Sequence, residues 1–200
     1  APVSFPEKDN LNALPGTEKE VSEISELFKG KNISCEVLTH DLASETAIKD
    51  GTLQNYSLVH FATHGIVDEE NPELSRIFLQ NNTEAEDGNL YSGEIYNLQL
   101  NANLVSLSAC QTGLGKISKG EGVIGLSRAL VYAGAKNIIV SFWSVADEST
   151  AELMTTFYQT LLQQQNETFS SGLRDAKLKM IDKGTYASPY YWAPFILIGF

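Results

Sequence analysis

Ser57-Leu58-Val59-His60-Phe61-Ala62-Thr63-His64-Gly65 is a short apolar run that ends in a histidine and a glycine. Asn103-Leu104-Val105-Ser106-Leu107-Ser108-Ala109-Cys110-Gln111 repeats the arrangement, with a cysteine at its end. Both runs have the length and apolar content of strands buried on both faces, as in a parallel sheet. Asn137 to Phe142 and Phe195 to Ile198 are further runs of this kind. The stretches between them read as helices. Val123 to Ala133 is apolar nearly all round and is broken by Gly134. Leu153, Met154, Phe157, Tyr158, Leu161 and Leu162 stripe a helix that Asp147 can cap, and Leu173, Ala176, Met180 and Ile181 stripe another. Strands alternating with helices predict an α/β domain, a three-layer α/β/α sandwich around a mostly parallel central sheet.

The N-terminal third is more broken. Ala1 to Pro15 reads as loop. Thr17 and Glu20 have the spacing of a capping box, followed by Val21, Ile24, Leu27 and Phe28 at helical intervals and a stop at Gly30. Ser34 to Leu38 is expected as a short strand, and Ser44 as the cap of a helix running to about Leu53. Asp68 to Leu98 is polar and reads as loop plus a hairpin around Ile77-Phe78-Leu79.

Two hundred residues make one domain, 1–200, large enough to bury a core without disulfide staples. A net charge of −11 argues against a nucleic-acid or anionic-membrane binder, since both need a basic face. The two cysteines, Cys35 and Cys110, are too few for a disulfide framework, and Cys35 is expected as inert core. With no apolar run of membrane length and no visible signal peptide, a reducing, cytoplasmic setting is the expectation. The chain opens on Ala1, as expected of a piece processed or cut from a longer protein.

His64 and Cys110 each lie just beyond the C-terminal end of a predicted strand, where ligands bind in open parallel sheets. If the strands are neighbours, an imidazole can take the proton of the thiol and later protonate a leaving amine. Gly65, Gly113 and Gly115 leave the nearby backbone open to a substrate, and its N–H groups could hold an oxyanion. A buried cysteine is also a common small hydrophobe, and a histidine near a strand a common structural residue. His60 and His64 lack the carboxylate spacing of a zinc site, so no metal is expected. Gly115-Lys116 is not a phosphate loop: that pattern needs glycine at Cys110 and Ser or Thr at Ile117. No cofactor motif remains.

Seven strings stand in order around these residues: L-P-G-T-E-K-E-V at Leu14 to Val21, H-F-A-T-H-G ending at Gly65, L-S-A-C-Q-T-G-L-G around Cys110, G-E-G-V-I-G-L-S-R-A at Gly120 to Ala129, A-G-A-K at Ala133 to Lys136, S-F-W-S-V-A-D-E-S-T at Ser141 to Thr150, and Y-W-A-P-F-I-L-I-G at Tyr191 to Gly199. From about Leu14 to Phe200 the chain resembles a CHAT domain, the caspase-like domain often found behind tetratricopeptide repeats. The resemblance implies a cysteine endopeptidase of the caspase, gingipain and separase clan. Cys110 would be the nucleophile, His64 the general acid–base, and the backbone of Gly65 and Cys110 the oxyanion hole, with no third carboxylate required. Asp147 and Glu148 are candidates for a pocket that takes a basic P1 residue; Asp147 alternatively serves only as a helix cap. Gly113 to Gly122, with Lys116, Lys119 and Glu121, is either an activation loop or a solvated connector. Trp143 and Trp192 are expected in the core or a pocket wall. The first core strand of such a fold either lies upstream or survives as Pro2-Val3-Ser4-Phe5. The implied partners are a protein or peptide substrate and a regulatory repeat domain or activating partner. A catalytically silent interaction module with the same fold is the alternative function, and a cysteine-dependent acyl transferase or other hydrolase a third.

Overall fold

The computed structural model describes residues 1–6, 9–68, 70–108, 121–163 and 168–199. Its elements, in chain order, are α1 (Pro15–Lys29), α2 (Glu45–Lys49), β1 (Leu58–Phe61), β2 (Gly65–Ile66), β3 (Arg76–Phe78), β4 (Asn89–Tyr91), α3 (Ser92–Ile95), β5 (Leu104–Leu107), α4 (Glu121–Tyr132), β6 (Asn137–Ser141), α5 (Asp147–Gln163), α6 (Phe169–Lys183), α7 (Pro189–Trp192) and β7 (Phe195–Gly199).

The apolar runs form one sheet in the order β1-β5-β6-β7. β1 pairs parallel with β5 and β5 parallel with β6, while β7 returns antiparallel to β6. Successive side chains on a strand point to opposite faces, and here both faces are covered. Val59, Phe61, Val105, Leu107, Ile138 and Val140 pack on one side with Leu126, Ala129 and Leu130 of α4. Leu104, Ile139 and Phe195 pack on the other with Ile24 and Phe28 of α1, Leu153, Met154, Phe157 and Tyr158 of α5, and Leu173, Ala176 and Met180 of α6. This is the expected three-layer α/β/α arrangement. Asp68 to Leu98 holds the expected hairpin, β3 and β4, and β2 just before it joins them in a separate antiparallel sheet, which adds Ile77 and Leu90 to the α4-side core.

Helix α1 begins at Pro15, where proline's fixed φ and missing N–H suit a first turn. The expected capping box does not form. Thr17 lies inside the helix, its hydroxyl donating to the Leu14 carbonyl at 2.6 Å, and Glu20 is fully buried against His60. Ser34 to Leu38 is not a strand, because no described strand lies beside it to complete a ladder. Pro2 to Phe5 forms no strand either, and Val3 takes φ 67°. Ser44 does cap α2, accepting from the Ala47 N–H, but that helix stops at Lys49, and Gly51 at φ 85° leads into a 3₁₀ turn. α4 starts at Glu121, two residues before the expected Val123.

Helix α4 ends in a Schellman cap: the Ala135 N–H bonds the Leu130 carbonyl and the Gly134 N–H that of Val131. Gly134 has φ 115°, and the Leu100 backbone crosses directly over it, its N–H on the Ala133 carbonyl at 2.7 Å.

One charged cluster ties α2 to the small sheet. The Lys49 ammonium lies 2.5 Å from Glu45, 2.7 Å from Glu86 and 2.6 Å from Glu94. Glu45 is buried and also accepts the Gly88 N–H, and burial raises its pKa. Burial pulls the Lys49 amine down, but the three carboxylates outweigh this and hold it above the ordinary lysine value. Lys49→Met is expected to cost about 3 kcal/mol, the low end for breaking a buried pair, because the lysine side chain is 24% exposed. The loss should shrink as pH falls from 7 to 5, where the raised pKa lets Glu45 take a proton and relieves the repulsion left behind. Urea melts at the two pH values check both parts.

Candidate active site

Phe61 and Leu107 are register partners on β1 and β5. His64 lies three residues beyond Phe61, and Cys110 three beyond Leu107. The Ser108 N–H bonds the Phe61 carbonyl at 2.9 Å, so the two strand ends stay together past the last ladder pair. Cys110 itself, with Gly113, Gly115, Lys116 and Lys119, lies outside the described residues. Glu121 and Gly122, expected as loop, begin α4.

The chain turns between β1 and β2 at Ala62-Thr63-His64, all buried. The Thr63 hydroxyl donates to the Phe78 carbonyl at 2.5 Å, and the Phe78 N–H bonds the His64 carbonyl at 2.9 Å. Those two bonds fix the backbone that carries the imidazole. In antiparallel alternation the bond at Phe78–His64 makes Gly65–Ile77 a non-bonded pair. The Gly65 N–H therefore points away from β3.

The His64 ring is 2% exposed. Its Nε2 lies 2.8 Å from the Asn12 carbonyl. A carbonyl only accepts, so Nε2 carries the hydrogen and Nδ1 of the neutral ring is the acceptor, with no hydrogen bond among the described residues. Phe5 covers the ring at 4.7 Å. Burial lowers the His64 pKa below the ordinary imidazole value, against the Asn12 hydrogen bond and the negative charge of Asp147.

Asp147 is drawn into the same place. Its Oδ2 accepts the Gly16 N–H at 2.6 Å, so it caps the N-terminus of α1, while in α5 it stands inside the first turn and not at the cap. A Cβ on Gly16 would stand 2.5 Å from that oxygen, which explains glycine in the L-P-G string. Burial raises the Asp147 pKa, opposed by Gly16 and His64. Glu148 does not join it: that side chain is exposed and accepts the Tyr186 hydroxyl at 3.1 Å. Trp143 is half-exposed, its Nε1 donating to the Tyr190 carbonyl, and Trp192 donates to Ala187. Both brace α7 in place.

His60 is committed elsewhere. Its Nε2 meets Glu20 at 2.8 Å and its Nδ1 the Tyr158 hydroxyl at 3.3 Å, which in turn meets Ser106 at 3.1 Å. Cys35 is half-buried against the α1-side core. Among the described residues one set of side chains, Glu45, Glu86 and Glu94, could share an ion, and the Lys49 ammonium already fills its centre. The described helices include none long and apolar enough to cross a membrane.

In a Cys110→Ala variant, NMR titration of the His64 ring is expected to give a midpoint below 6.5. Asp147→Asn should lower it further, since it removes a negative charge that favours the imidazolium. A depressed histidine stabilises the fold only above its unfolded pKa. Stability should therefore fall as pH drops from about 6.5 through the folded value.

A mostly parallel sheet between helix layers, with a histidine just past the end of β1 and beside the strand leading to a cysteine, defines a caspase-like α/β domain. The chain belongs to the CHAT domain family, whose model matches residues 2–200. It is 28% identical over 218 residues to Tetratricopeptide repeat protein 28 of Homo sapiens, and 25% identical over 223 residues to the Mus musculus protein of that name. Each match covers 93% of this chain and 8% of the relative, so the chain spans less than a tenth of the length of these curated relatives.

Asn12, Phe5 and Gly16 were missed as site residues. Asn12 contributes a backbone carbonyl, which leaves no mark on residue type. Gly16 had a signal in the L-P-G string.

Proposed function

We propose that this domain is a cysteine endopeptidase working through Cys110 and His64. The observation that carries the reading is His64, buried at the end of β1 with Nε2 held by Asn12 and Nδ1 without a hydrogen bond among the described residues, beside the strand that leads to Cys110. His64 Nδ1 takes the Cys110 proton, and the thiolate attacks the scissile carbonyl carbon. The N–H groups of Gly65 and Cys110 hold the oxyanion. The C–N bond then breaks as the imidazolium protonates the leaving amine, and water, deprotonated by His64, hydrolyses the thioester.

Asp147 is the anchor for a basic P1 side chain. Its Oδ2 is taken by Gly16, while Oδ1 has no hydrogen bond among the described residues. Glu148, turned to Tyr186, is the weaker candidate. A regulatory repeat domain and a cytoplasmic setting are part of the same proposal, the first supported by the tetratricopeptide repeats in the relatives' name.

The test is incubation with a peptide library, with and without repeats from the parent chain, beside Cys110→Ala. Cleavage after Arg or Lys, lost in Cys110→Ala, is expected. Cleavage that survives the substitution overturns the nucleophile, and an Arg/Lys preference that survives Asp147→Asn overturns the anchor. No cleavage in any mixture points instead to the catalytically silent interaction module.

A further inference from the structure

β7 is the edge of the sheet farthest from His64, and no described strand pairs with its outer side. The Phe142 N–H bonds the Pro194 carbonyl, so the alternation makes Val140–Ile196 and Ile138–Ile198 the bonded pairs. The backbone groups of Phe195 and Leu197 therefore point away from β6. Lys177 Nζ fills the outward Phe195 carbonyl at 2.6 Å. Among the described residues nothing bonds the outward N–H or C=O of Leu197.

A groove runs beside this edge, walled by α6 and floored by Trp192 and β7. Arg174, Leu178 and Ile181 fall at spacings of four and three, hence on one flank of the helix. Leu178 is 50% exposed and Ile181 36%. Open edges are normally blunted by charge, bulges or cover; here a single lysine blunts one carbonyl.

Charge indicates the occupant. α6 carries Arg174, Lys177, Lys179 and Lys183 against Asp175 and Asp182, a basic helix on a chain of net charge −11. Arg174 is held by Asp175 at 2.8 Å, but that pair is largely exposed on the arginine side and exchanges readily for another carboxylate. A second copy paired β7 to β7 would set two basic α6 helices side by side, which like-charge repulsion opposes.

We propose that this edge takes an extended segment of a partner protein as a fifth strand. Its alternate apolar side chains would lie against Leu178, Ile181 and Trp192, with a carboxylate where it passes Arg174 and Lys177. Main-chain bonds to Leu197 would supply binding, and the groove specificity. The proposal does not depend on the peptidase reading.

The test pans random dodecapeptides displayed on phage against the Cys110→Ala variant, so that cleavage plays no part. Enriched peptides are expected to alternate apolar residues and to carry Asp or Glu. A synthetic peptide of the consensus should protect the Leu197 amide from hydrogen exchange. Its affinity should fall at least tenfold in Arg174→Glu and in Leu178→Asn, both surface changes. Three results overturn the proposal: no enrichment or enrichment without acidic residues, binding indifferent to both substitutions, or a dimer in sedimentation that Leu178→Asn dissolves. The last would make a second copy the occupant.

Discussion

His64→Gln is expected to lower kcat/KM for any peptide selected from the library by about 10²–10⁴-fold, the usual worth of a positioned acid–base group. Glutamine approximates the volume of the imidazole, and its amide can still donate to the Asn12 carbonyl that now accepts from Nε2. What it lacks is a basic nitrogen at the position of Nδ1. The midpoint of thermal unfolding should therefore move little while the rate collapses. This separation matters because the ring is buried beneath Phe5, and a small replacement would empty that space as well as remove the base. Steady-state kinetics beside a thermal melt decides it. An unchanged rate removes His64 from the chemistry.

Gly134→Ala is expected to be the most damaging glycine-to-alanine change among the described residues. At φ 115° the backbone is in a region that side chains rarely enter, and the new Cβ would lie 2.0 Å from the Leu100 carbonyl oxygen. That atom cannot swing aside, because the Leu100 N–H is bonded to Ala133 and both strands of backbone lead directly into the core. Backbone strain of about 1–3 kcal/mol and overpacking of a similar size add up to roughly 3–5 kcal/mol. For a chain of this length that lowers Tm by about 10 °C. Gly93→Ala is the control. It lies in α3, where nothing stands within 4 Å of the position a methyl would take, and the change should be neutral or slightly stabilising. Calorimetry of the two variants tests the contrast.

The central sheet was legible because a strand covered on both faces must be mostly apolar, with polar positions such as His60 and Ser106 held by hydrogen bonds, and few other segments satisfy that. Gly134 was legible as a helix stop for a similar reason. The errors have a common physical origin. Thr17 and Glu20 match a capping box locally, yet Pro15 already starts the helix, and tertiary contact with His60 claims Glu20. Ser34 to Leu38 has strand composition, but a strand exists only with a neighbour, and composition says nothing about neighbours. At the site, the histidine was readable from its place at a strand end. The Asn12 carbonyl was not, since every residue has one. Asp147 was legible as a helix cap or a pocket residue, but its direction, toward the first turn of a helix 131 residues earlier, depends on how α1 and α5 meet.

That separation has a kinetic side. Asn12 reaches His64 across 52 residues, and Asp147 reaches Gly16 across 131. Loops of such length close only after local elements have formed, because the chain entropy lost must be repaid by many contacts made together. The imidazole is therefore oriented near the end of folding, once the α1 and α5 layer has docked. A nascent or half-folded chain would hold its cysteine without an aligned base, so that competence to react would coincide with completion of the fold.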